Sequence, residues 1–144
     1  MRLAGKIGLV ALATFAAIQA IRVDQSNPPV TADLQAPPAV KEVLRRACYD
    51  CHSNETRWPW YGHVAPTSWL LHHDVFEGRE ALDFSEWGTL SPAVQAQRER
   101  DVVESIAEGE MPLWYYLPLH PSARLSAADK SVLDAWAAPA SPDP

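Results

Sequence analysis

Cys48 and Cys51 stand three residues apart with His52 directly after them, and the chain of 144 residues contains no other cysteine. Any fold this chain adopts has to present that Cys-x-x-Cys-His run as a unit. On a helix, positions three and four apart lie one above the other, so both thiols and the imidazole address the same flat object. A porphyrin meets this geometry, since two thiols can add to its two vinyl groups while the adjacent imidazole reaches the iron. Two other readings compete. A redox dithiol favours a helix N-terminus, where the thiol pKa falls, whereas Cys48 and Cys51 come near the end of the helix expected here. Zinc needs four ligands, and no second cysteine pair or His-x-x-x-His completes a set; His63, His72, His73 and His120 stand at no diagnostic spacing. A disulfide from Cys48 to Cys51 closes almost no chain and restricts the unfolded state very little. One covalently attached haem c is the favoured reading, with zinc and dithiol as its alternatives.

An iron held by His52 has a second axial face. Apart from the initiator, Met111 is the only methionine, and it lies in Gly109-Glu110-Met111-Pro112, just past an expected helix. His/Met ligation favours ferrous iron and raises the potential. Packing in a core is the plain alternative for Met111, and His120, His72 and His73 are rival ligands. Aromatic residues gather after both segments, with Trp58, Trp60 and Tyr61 after the cysteines and Trp114, Tyr115 and Tyr116 after Met111. Arg57 is a candidate partner for a propionate, although a solvated surface arginine describes it better.

The remaining sequence supplies a setting. Arg2 and Lys6 precede an uncharged run from Ile7 to Ile21, so residues 1–22 read as a signal anchor or signal peptide, and the rest is delivered to the periplasmic side of a bacterial inner membrane. Residues 23–38, with Asn27-Pro28-Pro29 and Ala36-Pro37-Pro38, read as a Pro-rich linker holding the domain off the bilayer. The domain itself spans 39–138, and 139–144 form a disordered tail. Four helices are expected. The first starts near Pro38 and carries Val40, Val43, Leu44, Cys48 and Cys51 on one buried face. The second runs over 67–80 with Trp69, Leu70, His73 and Phe76 as its inner face. The third is capped by Ser91 and stopped by Gly109, with Val94, Val102, Val103 and Ile106 as its apolar positions, and the fourth opens on a capping box from Ser126 to Asp129. No stretch alternates long enough for a strand, so the domain should be all-α. Residues 23–144 hold 9 Lys and Arg against 18 Asp and Glu, a formal charge of −9, which excludes a nucleic-acid surface and suits a redox partner with a basic patch.

The blocks CYDCHSNETRWPWY, APTSWLLHHDVFEGREALDFSEW, GEMP and LHPSARLS resemble the bacterial haem-binding domain family of small exported proteins with a single CxxCH, over about Ala39 to Trp136. The resemblance implies a cytochrome-c-like helical domain with one haem behind an N-terminal membrane segment. By position, Cys48 and Cys51 match the thioether cysteines, His52 the proximal ligand and Met111 the methionine of the GEMP-like block. Gly62-His63 departs from the Ser-Asn type of sequence expected after WPWY. One-electron transfer, with no acid–base catalysis, is the function expected. An open or weakly held sixth position, serving gas sensing or peroxide chemistry, is the alternative, and a haem that is mainly structural in a binding domain is the third.

Overall fold

The computed structural model describes residues 3–138. Arg2 and the tail expected at 139–144 lie outside the described residues. Among the described residues the chain is helical and contains no strand, as an all-α domain requires.

Pro38 occupies the first turn of α2 (Pro38–Ala47), where its missing N–H costs nothing. This helix buries Val40, Val43 and Leu44. At Cys48 the backbone leaves helical geometry (φ −126°, ψ −36°), and a single turn, α3 (Tyr49–His52), follows. The expectation that one continuous helix carries both cysteines is therefore corrected. Tyr49 gives the physical reason: nine residues beyond Val40, about two and a half turns, it would point to the opposite side of a straight helix. The break lets it enter the core and stack on Phe84, with ring centroids 5.1 Å apart.

α4 (Thr67–Ala81) lies against α3, and α5 (Pro92–Glu108) against α6 (Ala127–Ala137). Ser91 caps α5 by accepting the Val94 N–H, and Gly109 ends it at φ +79°, where a side chain would be strained. Ser126 and Asp129 form the expected capping box of α6. Along α5 only Ile106 is buried, Val102 and Val103 are half-buried, and Val94 is exposed. Leu34, Val40, Leu44, Phe84, Trp87, Ile106 and Leu133 make the core, continued by Phe84 on Trp87 and Trp87 on Trp136, each pair at 5.9 Å.

The inner face of α4 differs from the one its apolar spacing suggests. Ser68, Leu71, Val75 and Gly78 are buried, whereas Leu70, His73 and Phe76 are exposed. Apolar residues occur on both sides of this helix, so hydrophobic spacing does not choose between them. The small residues Ser68 and Gly78 decide, because they let α4 approach its neighbours.

Residues 23–36 are extended, as their prolines dictate, but they do not stand free. Thr31 and Ala32 N–H donate to Ser85 O, and Leu34 N–H donates to Phe84 O at 2.9 Å. Leu34 is 1% exposed and belongs to the core. The Pro-rich segment is thus a strap across the domain rather than a spacer. Ahead of it, α1 (Leu3–Ile18) buries no residue. No helix among the described residues is long and apolar enough to cross a membrane, so the spanning segment expected within 1–22 is not supported.

Candidate functional site

Two adjoining cavities of about 340 and 300 Å³ meet at Cys48, His52, Ala81, Met111 and Pro112. Each helix turn bordering them does a separate job. The last turn of α2 and the break after it bring Cys48 to the seam, and α3 places Cys51 on the second cavity. The two sulfurs are not joined to one another. Burial, and for Cys48 the neighbouring thiol, push both thiols up to about 12. A nucleophilic dithiol needs the opposite shift.

His52 is held by α4. Its Nδ1 lies 2.8 Å from Gly78 O and 3.2 Å from Leu82 O, so Nδ1 carries the proton and donates to these carbonyls. Burial lowers the pKa of the ring, the two carbonyls countering only in part. The ring is therefore a neutral imidazole with its lone pair on Nε2, the tautomer a metal requires. Phe84 meets it at 6.5 Å with the rings steeply inclined and fixes its tilt. The close approach depends on Gly78, where an added Cβ would lie 2.7 Å from Cys51 O. Gly78 is a positioning residue that the sequence reading passed over; its signal was a lone glycine inside an otherwise helical run.

Met111 reaches the same crevice from α5. Past Gly109, the N–H groups of Glu110 and Met111 both donate to Ser105 O, at 2.9 and 3.2 Å, and Met111 borders both cavities while 37% exposed. The four residues singled out in the sequence, Cys48, Cys51, His52 and Met111, thus come together. The rival histidines do not. His120 accepts a hydrogen bond from, or donates one to, Tyr61, stacks on Tyr116 at 3.8 Å, and lines neither cavity; His63, His72 and His73 also stay away from both.

Of the aromatic groups, Tyr115, Tyr116 and Phe84 border the crevice, and Trp58, Trp60, Tyr61 and Trp114 do not. Tyr116 Oη donates to Asp50 Oδ2 and Tyr115 Oη to Asp74 Oδ1, both at 3.2 Å. Arg57 is exposed and rests on Asp50 at 3.3 Å, outside the crevice. Arg98 is the cation on its wall, a residue the sequence reading did not single out.

The family model for the haem-binding domain matches residues 13–139. The chain belongs to that family. No curated protein and no solved structure matches it. The residues of the crevice fit a haem: the volumes suit a cofactor-sized ligand, the walls are mainly apolar, and one imidazole stands with its Nε2 unbonded and its tautomer fixed. Among the described residues no three His, Cys, Asp or Glu side chains converge as metal ligands. The haem-binding domain therefore offers its cofactor an apolar slot between α2–α3, α4 and the end of α5.

Proposed function

We propose that this haem-binding domain is a one-electron carrier on the periplasmic side of the inner membrane, with its α1 helix in the lipid. Haem supplies an iron that alternates between two oxidation states. The chain supplies everything else. Cys48 and Cys51 would each hold the group by a thioether to a vinyl carbon, with the thiol proton going to the neighbouring carbon, so that the attachment would need no oxidant or reductant. His52 would hold the iron through Nε2 while Nδ1–H stays on Gly78 and Leu82. Met111 would hold it from the α5 side, and its thioether would favour the reduced state. Burial by Phe84, Leu82, Ile106 and Leu125 excludes water and limits the solvent reorganisation that accompanies a change of charge. With −9 on residues 23–144, a partner bearing a basic patch is steered towards the domain.

The observation that carries this reading is the meeting of Cys48, His52 and Met111 at the seam of the two cavities. It is tested by visible spectra of the protein matured with haem, oxidised and reduced, beside Met111→Ala. A low-spin c-type spectrum with a weak far-red sulfur-to-iron band, lost in Met111→Ala, is the expected result. A spectrum that Met111→Ala leaves unchanged removes Met111 as a ligand. One observation favours the alternative of an open sixth position for a gas or peroxide: Met111 sits on a loop and is partly exposed. A high-spin spectrum and carbon monoxide binding by the unaltered protein would decide for it.

A further inference from the structure

α4 is apolar on both sides. Its inner face packs on the domain, and its outer face carries Trp69, Leu70 and Phe76, with Leu70 48% and Phe76 52% exposed. This outer stripe begins where α1 is fastened. Gln19, directly after α1, accepts the Ala65 N–H at 2.9 Å and donates to Ala65 O at 3.1 Å. The Trp69 indole N–H donates to Ile21 O at 3.2 Å. The chain leaves α1 and joins the start of α4 with no slack between them, because the strap that follows is itself bound to the domain.

The occupant of the stripe is indicated by α1. A helix that docks in a protein groove carries one apolar stripe. α1 buries nothing, exposes Leu3, Ile7, Leu9, Val10 and Leu12, and bears a single charge, Lys6. Apolar character around the whole circumference is matched by lipid. Its 16 residues make roughly 24 Å, less than a hydrocarbon core of about 30 Å. A span shorter than the hydrocarbon core is accommodated by local thinning of the bilayer and snorkelling of its flanking residues, and the structure that flanks α1 here is the start of α4.

We propose that Trp69, Leu70 and Phe76 lie in the headgroup layer of the bilayer that takes up α1, so that the domain sits flush on the membrane. The proposal rests on α1 entering lipid, as stated above. Tryptophan suits this layer, with an apolar ring and a polar N–H. Exposed His73 and Glu77, 4.0 Å apart, and Glu80 lie on the same face between Leu70 and Phe76, and their polar ends belong among the headgroups. On α4 the crevice is bordered by Asp74, Glu77, Gly78 and Ala81, so its rim reaches the residue next to Phe76 while Gly78 faces the inner side of the helix.

The test uses the full haem-loaded chain in phosphatidylcholine–phosphatidylglycerol vesicles, with p-benzoylphenylalanine replacing Val10, Leu70, Phe76 or Val94 one at a time. Irradiation and mass spectrometry then read lipid adducts. Val94, 41% exposed on α5, is the matched control. Adducts at 10, 70 and 76 but not at 94 are expected. Adducts at 10 without any at 70 and 76 overturn the seating of α4 and leave α1 in lipid. Their absence at 10 as well overturns both, and equal adducts at 94 would show unspecific adhesion and overturn the seating too.

Discussion

Gly78→Ala isolates the link between packing and the cofactor site. The added methyl would stand 2.7 Å from Cys51 O, 3.1 Å from its carbonyl carbon and 3.3 Å from its Cβ. Two of these are backbone atoms, which cannot swing aside as the end of a side chain can, so α3 and α4 must part. Overpacking of this kind costs about 1–3 kcal/mol, and parting the helices stretches the 2.8 Å bond from His52 Nδ1 to Gly78 O, a loss of about 0.5–1.5 kcal/mol. Alanine returns about 1 kcal/mol of helix propensity. The net loss is about 1–3 kcal/mol, or roughly 3–15 °C in Tm for a domain of this size. Thermal unfolding of the haem-loaded protein by circular dichroism reads the stability, and the visible spectrum with the reduction potential reads His52. A lowered Tm together with an altered spectrum or potential is expected. Gly109→Ala provides the contrast, because an added Cβ there meets nothing within 4 Å and only the φ of +79° opposes it. That variant should cost about 1–2 kcal/mol from backbone strain alone and leave His52 unaffected. If Gly78→Ala is as stable as the parent and its spectrum is unchanged, the close approach of α3 and α4 does not position His52.

Leu34→Ala should destabilise the domain by about 2–5 kcal/mol, since Leu34 is 1% exposed in the core; urea unfolding with a change below about 0.5 kcal/mol would show that the strap is not integral. Burial acts to raise the Asp33 carboxyl, but hydrogen bonds from Lys41 and Tyr49 and the charges of Lys41 and Arg45 outweigh it, so the pKa lies below its usual 3.8. The folded state therefore holds its proton less tightly than the unfolded one. The stability this contributes is present above the unfolded value and is lost as pH falls below about 4 through the folded value. Asp33→Asn should lower stability at pH 7 and flatten the decline below pH 4 in acid-unfolding curves; a parallel curve would contradict the assignment.

The element ends were legible in the sequence because they are decided locally. Pro38, Ser91, Gly109 and Ser126 each satisfy or spare backbone groups within one turn, and each stands at the end it announces. The convergence of Cys48, Cys51, His52 and Met111 on one crevice was legible for a related reason, as Cys-x-x-Cys-His has a geometric requirement and Met111 had no competitor of its own type. What was not legible is long-range. The inner face of α4 could not be read from Trp69, Leu70, His73 and Phe76, because Leu71 and Val75 offer an equally apolar alternative and the decision falls to Gly78 and Cys51 O, 27 positions apart in sequence. The break at Cys48 follows from Tyr49 seeking Phe84, again a partner far along the chain. Arg98 looks like any surface arginine until α5 is packed.

The strap is the largest departure from the linear reading, and it ties the outermost parts of the chain to the imidazole. Proline content fixes an extended backbone but does not fix whether that backbone meets water or protein. Here Asn27 donates to Thr56 O at 3.0 Å and accepts from Arg79 Nη2 at 2.7 Å, while Arg79 also binds Ser53 O and Thr56 Oγ1. One α4 side chain therefore fastens both the strap and the loop that follows His52. Further along, Asp33 accepts from Lys41 and from Tyr49 Oη at 2.8 Å, Tyr49 stacks on Phe84, and Phe84 leans on His52. From the end of α1 to His52 the chain is anchored to the domain at Gln19, Asn27, Thr31, Ala32, Asp33 and Leu34. A force on α1 is thus borne by the same contacts that orient His52. A freely tethered domain can rotate to present its haem in any direction; this one has its crevice fixed relative to α1, so under the proposed electron-carrier function a redox partner has to match that orientation.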